Sequence, residues 1–202
     1  MKKQKIGIYG GTFSPPHVGH VSAAESFSEA IELDKLIIMP DFLPPHKHFD
    51  GEVTPEDRLN MCSLAFSHIK NAEVSDLEIK RGGKSYTAVT LEELSSADTE
   101  LYFLCGTDMF LTLDKWYAPE RIFKSAVICF IRREKDPEND LIIDKLIKEY
   151  ESKFSAKIIE IPGKVIEISS SDVREALNGS EDEKEFLPDG VYSYIVEKGL
   201  YK

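Results

Sequence analysis

Short, almost uninterrupted apolar runs alternate along the chain with longer stretches in which apolar residues recur at helical spacing. Lys5–Gly10 (KIGIYG), Leu36–Met39 (LIIM), Leu101–Cys105 (LYFLC) and Val127–Ile131 (VICFI) are too short for stable helices. Runs of this kind predict strands buried on both faces. A strand is also predicted around Ala72–Ile79, and a last one at Ile158–Ile161. Val18, Ala23, Phe27, Ala30 and Ile31 predict the first helix. The second opens on a Thr54 cap, Pro55 at the first helical position and acidic Asp57 at the third, with Leu59, Leu64, Ala65 and Phe66 as its apolar face. Further helices are predicted at Tyr86–Leu94, Pro119–Phe123, Leu141–Phe154, Asp172–Leu177 and about Gly190–Lys198. The polar stretch Glu134–Asp140 and the acidic run Glu181–Glu185 read as surface loops. Strands and helices taking turns this regularly imply an α/β protein, a parallel sheet with helices on both faces.

Composition narrows the partners. The chain has 202 residues, 36 acidic against 25 basic side chains and a net charge of −11. Its length suits one domain, 1–202, with the C-terminal helices of about 169–198 packed on it. A field of that sign opposes binding to nucleic acid and to anionic membranes. No apolar run approaches a membrane span, and the first residues enter a strand with no secretory signal, so the expected location is cytoplasmic. Cys62, Cys105 and Cys129 are odd in number and widely spaced, which predicts neither a disulfide framework nor a zinc site. They read as small buried hydrophobes, and no residue set reads as a metal cage.

In parallel α/β sheets ligands bind beyond the carboxyl ends of the strands. Directly after the first strand comes Gly10-Gly11-Thr12-Phe13-Ser14-Pro15-Pro16-His17-Val18-Gly19-His20. Two glycines allow close backbone approach, Thr12 adds a hydroxyl, and His17 and His20 share one face at a helix start with the small Gly19 between them. Helix N-terminal amides and imidazoles suit a phosphate. The plainer alternative is a turn and a capped helix carrying two surface histidines. The pattern is neither GxGxxG nor a Walker A loop. A second candidate, Ile168-Ser169-Ser170-Ser171-Asp172-Val173-Arg174, gathers hydroxyls at a helix start with Arg174 one turn beyond Ser171, an arrangement able to clamp phosphate. Its plainer alternative is an N-cap alone. His46, Lys47 and His48 follow two prolines after the second strand, and Lys47 there is expected to meet a phosphate. Arg132 and Arg133 follow the fifth strand and are weaker candidates for the same role, since Glu134 stands ready to pair with one of them. His68 reads as structural.

GGTFSPPHVGH together with ISSSDVR resembles the HxGH and ISSTxIR motifs of the nucleotidyltransferase superfamily. Leu43-Pro44-Pro45-His46-Lys47, Ser85-Tyr86-Thr87, Gly106-Thr107-Asp108, Lys115-Trp116-Tyr117, Arg132-Arg133 and Gly199-Leu200-Tyr201 follow in the order seen in bacterial nicotinate-nucleotide adenylyltransferases. The resemblance spans essentially the whole chain. It implies a Rossmann-like, doubly wound sheet with a short C-terminal helical segment, and transfer of AMP from ATP to nicotinate mononucleotide. It further implies that Gly10, Gly11, Thr12, His17, Gly19, His20, Gly106, Asp108, Ser170, Ser171 and Arg174 hold ATP. Thr12, His17, His20 and Arg174 would act in catalysis. Lys47, Tyr86, Thr87, Trp116, Tyr117 and Arg133 would hold the pyridine substrate, with Trp116 stacking on its ring, and Mg2+ would be bound mainly by ATP phosphates. One departure stands out: Ser14 occupies a position that is usually acidic. The alternatives are another HxGH transferase, such as a pantetheine-phosphate adenylyltransferase or a cytidylyltransferase, and a nucleotide sensor without turnover. The sequence leaves the oligomeric state open.

Overall fold

The structure is a computed structural model that describes residues 2–45, 53–132, 137–163, 166, 168–177 and 185–202. Its centre is a six-stranded, all-parallel sheet formed by β1 (Gln4–Gly11), β2 (Lys35–Pro40), β3 (Ala72–Val74), β4 (Thr99–Gly106), β5 (Ala126–Ile131) and β6 (Ile158–Glu160), in the order β3-β2-β1-β4-β5-β6. This is the Rossmann-type order, in which the chain winds one way from β1 and then the other. A crevice therefore opens between the carboxyl ends of β1 and β4. Side chains alternate across the strands, so that Leu101, Phe103 and Cys105 of β4 enter one apolar layer while Tyr102 and Leu104 enter the other. That alternation is why the strands read as continuous apolar runs.

One layer is covered by α1 (Val18–Ile31), α2 (Pro55–Ala65), α8 (Ser170–Leu177) and α9 (Asp189–Lys198), which bury Phe27, Met61, Val173, Val191 and Ile195. The other is covered by α4 (Thr87–Leu94), the four-residue α5 (Thr107–Phe110), α6 (Pro119–Ser125) and α7 (Pro137–Phe154). Gly7 sits where β1 meets α1. A Cβ there would lie 2.3 Å from Leu33 Cδ1 and 2.8 Å from Phe27 Cε1, so the strand approaches this closely only without a side chain.

Three expectations are corrected. The strand expected over Ala72–Ile79 ends at Val74, and Leu77–Arg81 forms a short helix, α3. Val74 and Leu77 are three apart, a helical rather than a strand interval, and the Ser75 hydroxyl accepts the Leu77 amide at 3.3 Å. The loop expected through Asp140 yields at Pro137 to α7, where proline suits the first helical turn. The buried face of α2 is not centred on Leu64, which is 41% exposed; it runs through Arg58, Met61, Cys62 and Ala65. The expected start of α2 forms as a capping box: the Asp57 amide donates to Thr54 Oγ1 at 3.0 Å and the Thr54 amide to Asp57 Oδ2 at 3.2 Å. All three cysteines are free and buried. Among the described residues, no helix is long and apolar enough to cross a membrane.

Candidate active site

At the end of β1 the chain turns through Gly10-Gly11-Thr12 into a loop pinned by Phe13. Phe13 is 2% exposed and adopts φ +48°, a left-handed conformation that a bulky residue rarely takes. Its ring meets Tyr9, His20 and Phe66 edge-on at 5.4, 5.0 and 5.8 Å between centroids. Burying such a ring is worth about 3 kcal/mol, enough to offset a local backbone strain of about 1 kcal/mol. The pin aims the next residues at the amino end of α1. There the His17 amide donates to His20 Nδ1 at 3.2 Å, and the two imidazoles lie 3.7 Å apart, tilted by 33°.

His17 is 4% exposed, and its Nδ1 is buried without a hydrogen-bond partner in the protein. Burial pushes its imidazole down to about 4, against an upward pull from Asp172, so the ring is neutral at pH 7. Gly19 holds the surface beside it low: a Cβ there would stand 3.0 Å from the Ile166 carbonyl and 3.1 Å from the His17 ring.

The far end of the chain closes on this loop. Ser169 caps α8 in a box with Asp172, the Asp172 amide donating to Ser169 Oγ at 3.1 Å and the Ser169 amide to Asp172 Oδ2 at 2.8 Å. Because Ser169 serves as the cap, the next two serines do other work. Ser170 Oγ donates to the Pro15 carbonyl at 3.0 Å, and Ser171 Oγ accepts from Arg174 at 3.0 Å. Arg174 also donates to the Ser14 carbonyl at 2.7 Å. The two sequence motifs are thus joined by direct hydrogen bonds across about 160 residues of chain.

Ser14, the departure from the usual acidic residue, is 5% exposed, and its hydroxyl lies 2.9 Å from the Tyr201 hydroxyl. It reaches toward the carboxyl-terminal end of the chain. Its carbonyl accepts from Arg174. Burial pushes the Tyr201 phenol up to about 12, so that group stays protonated and can donate.

These elements line one cleft of about 1630 Å³. Gly10, Gly11, Thr12, His17, Gly19, His20, Ser170, Ser171 and Arg174 form one half, and Gly106 and Asp108 at the end of β4 adjoin it. Gly106 is the cap of α5, Asp108 is exposed in its first turn, and Thr107 Oγ1 anchors the turn to the Ile131 carbonyl at 2.9 Å. Tyr86, Thr87, Trp116 and Tyr117 line the other half. Trp116 is partly buried, its indole nitrogen donating to Thr112 Oγ1 at 3.4 Å and its ring 6.5 Å from that of Phe103. Tyr86 and Tyr117 lie ring against ring at 4.5 Å, and Tyr117 remains 51% exposed. The volume exceeds that of a typical single-ligand pocket.

Lys47, with His46 and His48, and Arg133 lie outside the described residues. Arg132 is drawn away from the cleft: its guanidinium binds Glu160 at 2.8 Å, Asp140 at 2.8 Å and Asp144 at 3.1 Å, fastening β5 to α7 and β6. His68 Nε2 lies 2.9 Å from Glu25 on the surface, and His68 does not line the cleft. Thr12 faces the cleft, but its hydroxyl donates to Asp41 at 2.8 Å, so its proton is directed at a carboxylate and not at the cleft. Asp41 and Arg58 were not singled out in the sequence. The available signal was an arginine at the i position of the i, i+3, i+4, i+7 stripe Arg58-Met61-Cys62-Ala65, a charge where the helix must be buried.

Among the described residues, no three His, Cys, Asp or Glu side chains converge to hold a metal. The donors gathered around His17 are imidazoles, hydroxyls, helix amides and a guanidinium, a set suited to anions.

Residues 8–176 match the cytidylyltransferase-like family, which defines the class of protein as a nucleotidyltransferase fold. A protein of Caldicellulosiruptor saccharolyticus, described as a probable nicotinate-nucleotide adenylyltransferase, is 36% identical over 198 residues, covering 98% of this chain and 99% of its own length. A Lachnoclostridium phytofermentans protein of the same description is 37% identical over 200 residues, covering 98% and 99%. With likeness of that extent, this chain belongs to the nicotinate-nucleotide adenylyltransferase family. Plasmodium falciparum nicotinic acid mononucleotide adenylyltransferase complexed with NaAD shares the fold, with a TM-score of 0.76 at 20% identity, over 98% of this chain and 97% of that one.

Proposed function

We propose that the protein transfers AMP from ATP to the phosphate of nicotinate mononucleotide, releasing pyrophosphate and forming nicotinate adenine dinucleotide. The observation that carries this reading is the direct bonding of Arg174 and Ser170 to the His17 loop, at the Ser14 and Pro15 carbonyls. That bonding joins a guanidinium and hydroxyls from late in the chain to the imidazole loop, a donor set suited to anions. The relatives' descriptions support the choice of substrates.

The acceptor phosphate is already a nucleophile, so the protein has to align two anions and stabilise the charge that passes to the leaving pyrophosphate. His20, at the rim of the cleft, and the backbone at Gly10 and Gly11 face the reacting phosphate. His17, whose Nδ1 lacks a protein partner, offers a neutral imidazole to the phosphate chain. Arg174, Ser170 and Ser171 hold the outer phosphates, and Asp108 accepts from ribose hydroxyls. Trp116 provides a flat face for the pyridine ring, while Thr87 and the Tyr117 region supply donors to its carboxylate. Donors without a facing acceptor favour the acid over the amide. Mg2+ would supply further charge neutralisation, held mainly by ATP oxygens and water. Lys47 and Arg133 stand as further phosphate contacts. The reading also makes 1–202 a single domain, and a cytoplasmic location accords with it.

The test is pyrophosphate release by purified protein with ATP, Mg2+ and either nicotinate or nicotinamide mononucleotide. Release with the nicotinate substrate, at higher kcat/KM than with the amide, is the expected result. No release with either acceptor refutes the proposal and favours a different acceptor or a sensor.

A further inference from the structure

Arg58 sits on the buried face of α2 with no exposed surface, and its guanidinium serves two loops at once. One terminal nitrogen donates to the Thr12 carbonyl at 2.8 Å and to the Asp41 carboxylate at 3.1 Å. The other donates to the carbonyls of Asp41 at 2.6 Å and Phe42 at 3.3 Å. Asp41 accepts the Thr12 hydroxyl from the opposite side, at 2.8 Å. The loop after β1 and the loop after β2 are therefore tied through one cation and one carboxylate.

The tie extends into the acceptor half of the cleft. The Phe42 amide donates to Ser85 Oγ at 2.9 Å, and the Ser85 amide donates to the Leu43 carbonyl at 3.0 Å. Ser85 also hydrogen-bonds the buried Glu78 carboxylate, which accepts from Thr90 in α4. Tyr86 and Thr87, the first residues of the acceptor wall, follow Ser85 directly.

A buried ion pair is weak evidence for stability, because packed apolar side chains of similar volume often serve the fold as well. A methyl group cannot, however, fix the directions of three carbonyls, as a planar guanidinium does. We propose that Arg58 is a positioning residue, whose buried fork holds the triphosphate loop in register with the acceptor loop. This rests on the AMP-transfer reading for its substrates. In-line transfer depends on such register, since a misplacement of about 1 Å costs about 10²-fold in rate.

Arg58→Lys, Arg58→Met and Ser85→Ala test it. Lysine keeps the charge beside Asp41, but a single ammonium cannot span the Thr12 and Phe42 carbonyls together. Well below its unfolding midpoint, Arg58→Lys is expected to lose about 10²-fold in kcat/KM, with KM raised for both ATP and nicotinate mononucleotide. Ser85→Ala is expected to raise KM for the mononucleotide about tenfold while leaving that for ATP near wild type. Amide hydrogen exchange supplies a readout independent of turnover: Arg58→Lys should speed exchange in both segments 12–17 and 41–43 by about tenfold. If folded Arg58→Lys and Arg58→Met keep wild-type KM and kcat and lose only thermal stability, Arg58 is structural and the proposal falls. If wild type releases no pyrophosphate yet both loops loosen together in Arg58→Lys, the AMP-transfer reading falls and the tie between loops stands. Unchanged exchange in both loops overturns the tie itself.

Discussion

His17 makes stability depend on pH in a direction set by its burial. Burial lowers its imidazole from the ordinary value of 6.5, which holds in the unfolded chain, to about 4 in the folded one. Between those values the unfolded chain takes up a proton that the folded chain refuses, so stability falls as pH falls from 6.5 toward 4. The full difference amounts to about 3 kcal/mol, of which about 2 kcal/mol is lost between pH 7 and pH 5. Other groups contribute in this range, notably Glu78, whose carboxyl burial pushes upward. Comparison with His17→Gln, which keeps a polar side chain but cannot titrate, removes their shared contribution. Urea unfolding of both proteins at pH 7, 6 and 5 is the assay. The wild type should lose about 2 kcal/mol more than the variant between pH 7 and pH 5. Parallel losses in the two proteins would show that His17 is protonated as readily inside the fold as outside it. The assignment of a neutral, desolvated imidazole to the phosphate chain would then be wrong.

Three further outcomes are expected. His20→Ala should lower turnover by about 10² to 10³ with little change in unfolding midpoint, as measured by pyrophosphate release; wild-type turnover would remove His20 from the reaction. Trp116→Ala should raise KM for nicotinate mononucleotide by about fivefold, through loss of a stacking face worth about 1 kcal/mol, and leave KM for ATP unchanged. Gly7→Ala should destabilise the protein by about 2 kcal/mol in denaturant unfolding, because the new Cβ overlaps Leu33 Cδ1 at 2.3 Å; an unchanged midpoint would mean that α1 does not press on β1 as described.

The strands and most helices were legible because their determinants are local. A run such as LYFLC can be satisfied only inside a sheet covered on both faces, and Thr54, Pro55 and Asp57 fix a helix start through bonds within one turn. His17, Gly19 and His20 were legible for the same reason, since their spacing alone puts them at one helix opening. The serine motif was legible as a helix start as well. What spacing could not tell was how its serines divide the work: Ser169 caps, Ser170 reaches Pro15, and Ser171 braces Arg174.

Arg132 shows where local reading fails. The sequence offers it as a weaker phosphate contact, with Glu134 as a nearby partner for it or for Arg133, but Glu160, Asp140 and Asp144 are brought to it by β6 and α7. Arg58 is the converse case: a charge standing on the apolar stripe of α2 is kept buried because Thr12, Asp41 and Phe42 present their oxygens at one point. By itself, then, the order of residues determined most of the elements, their stacking on both faces of a parallel sheet and the chemical type of each motif, all of which follow from short-range hydrogen bonding and burial. Only the tertiary structure decided which polar group meets which. Those pairings run between residues far apart in the chain, and what settles them is the need of each desolvated donor or acceptor for a partner once the sheet has brought the loops together.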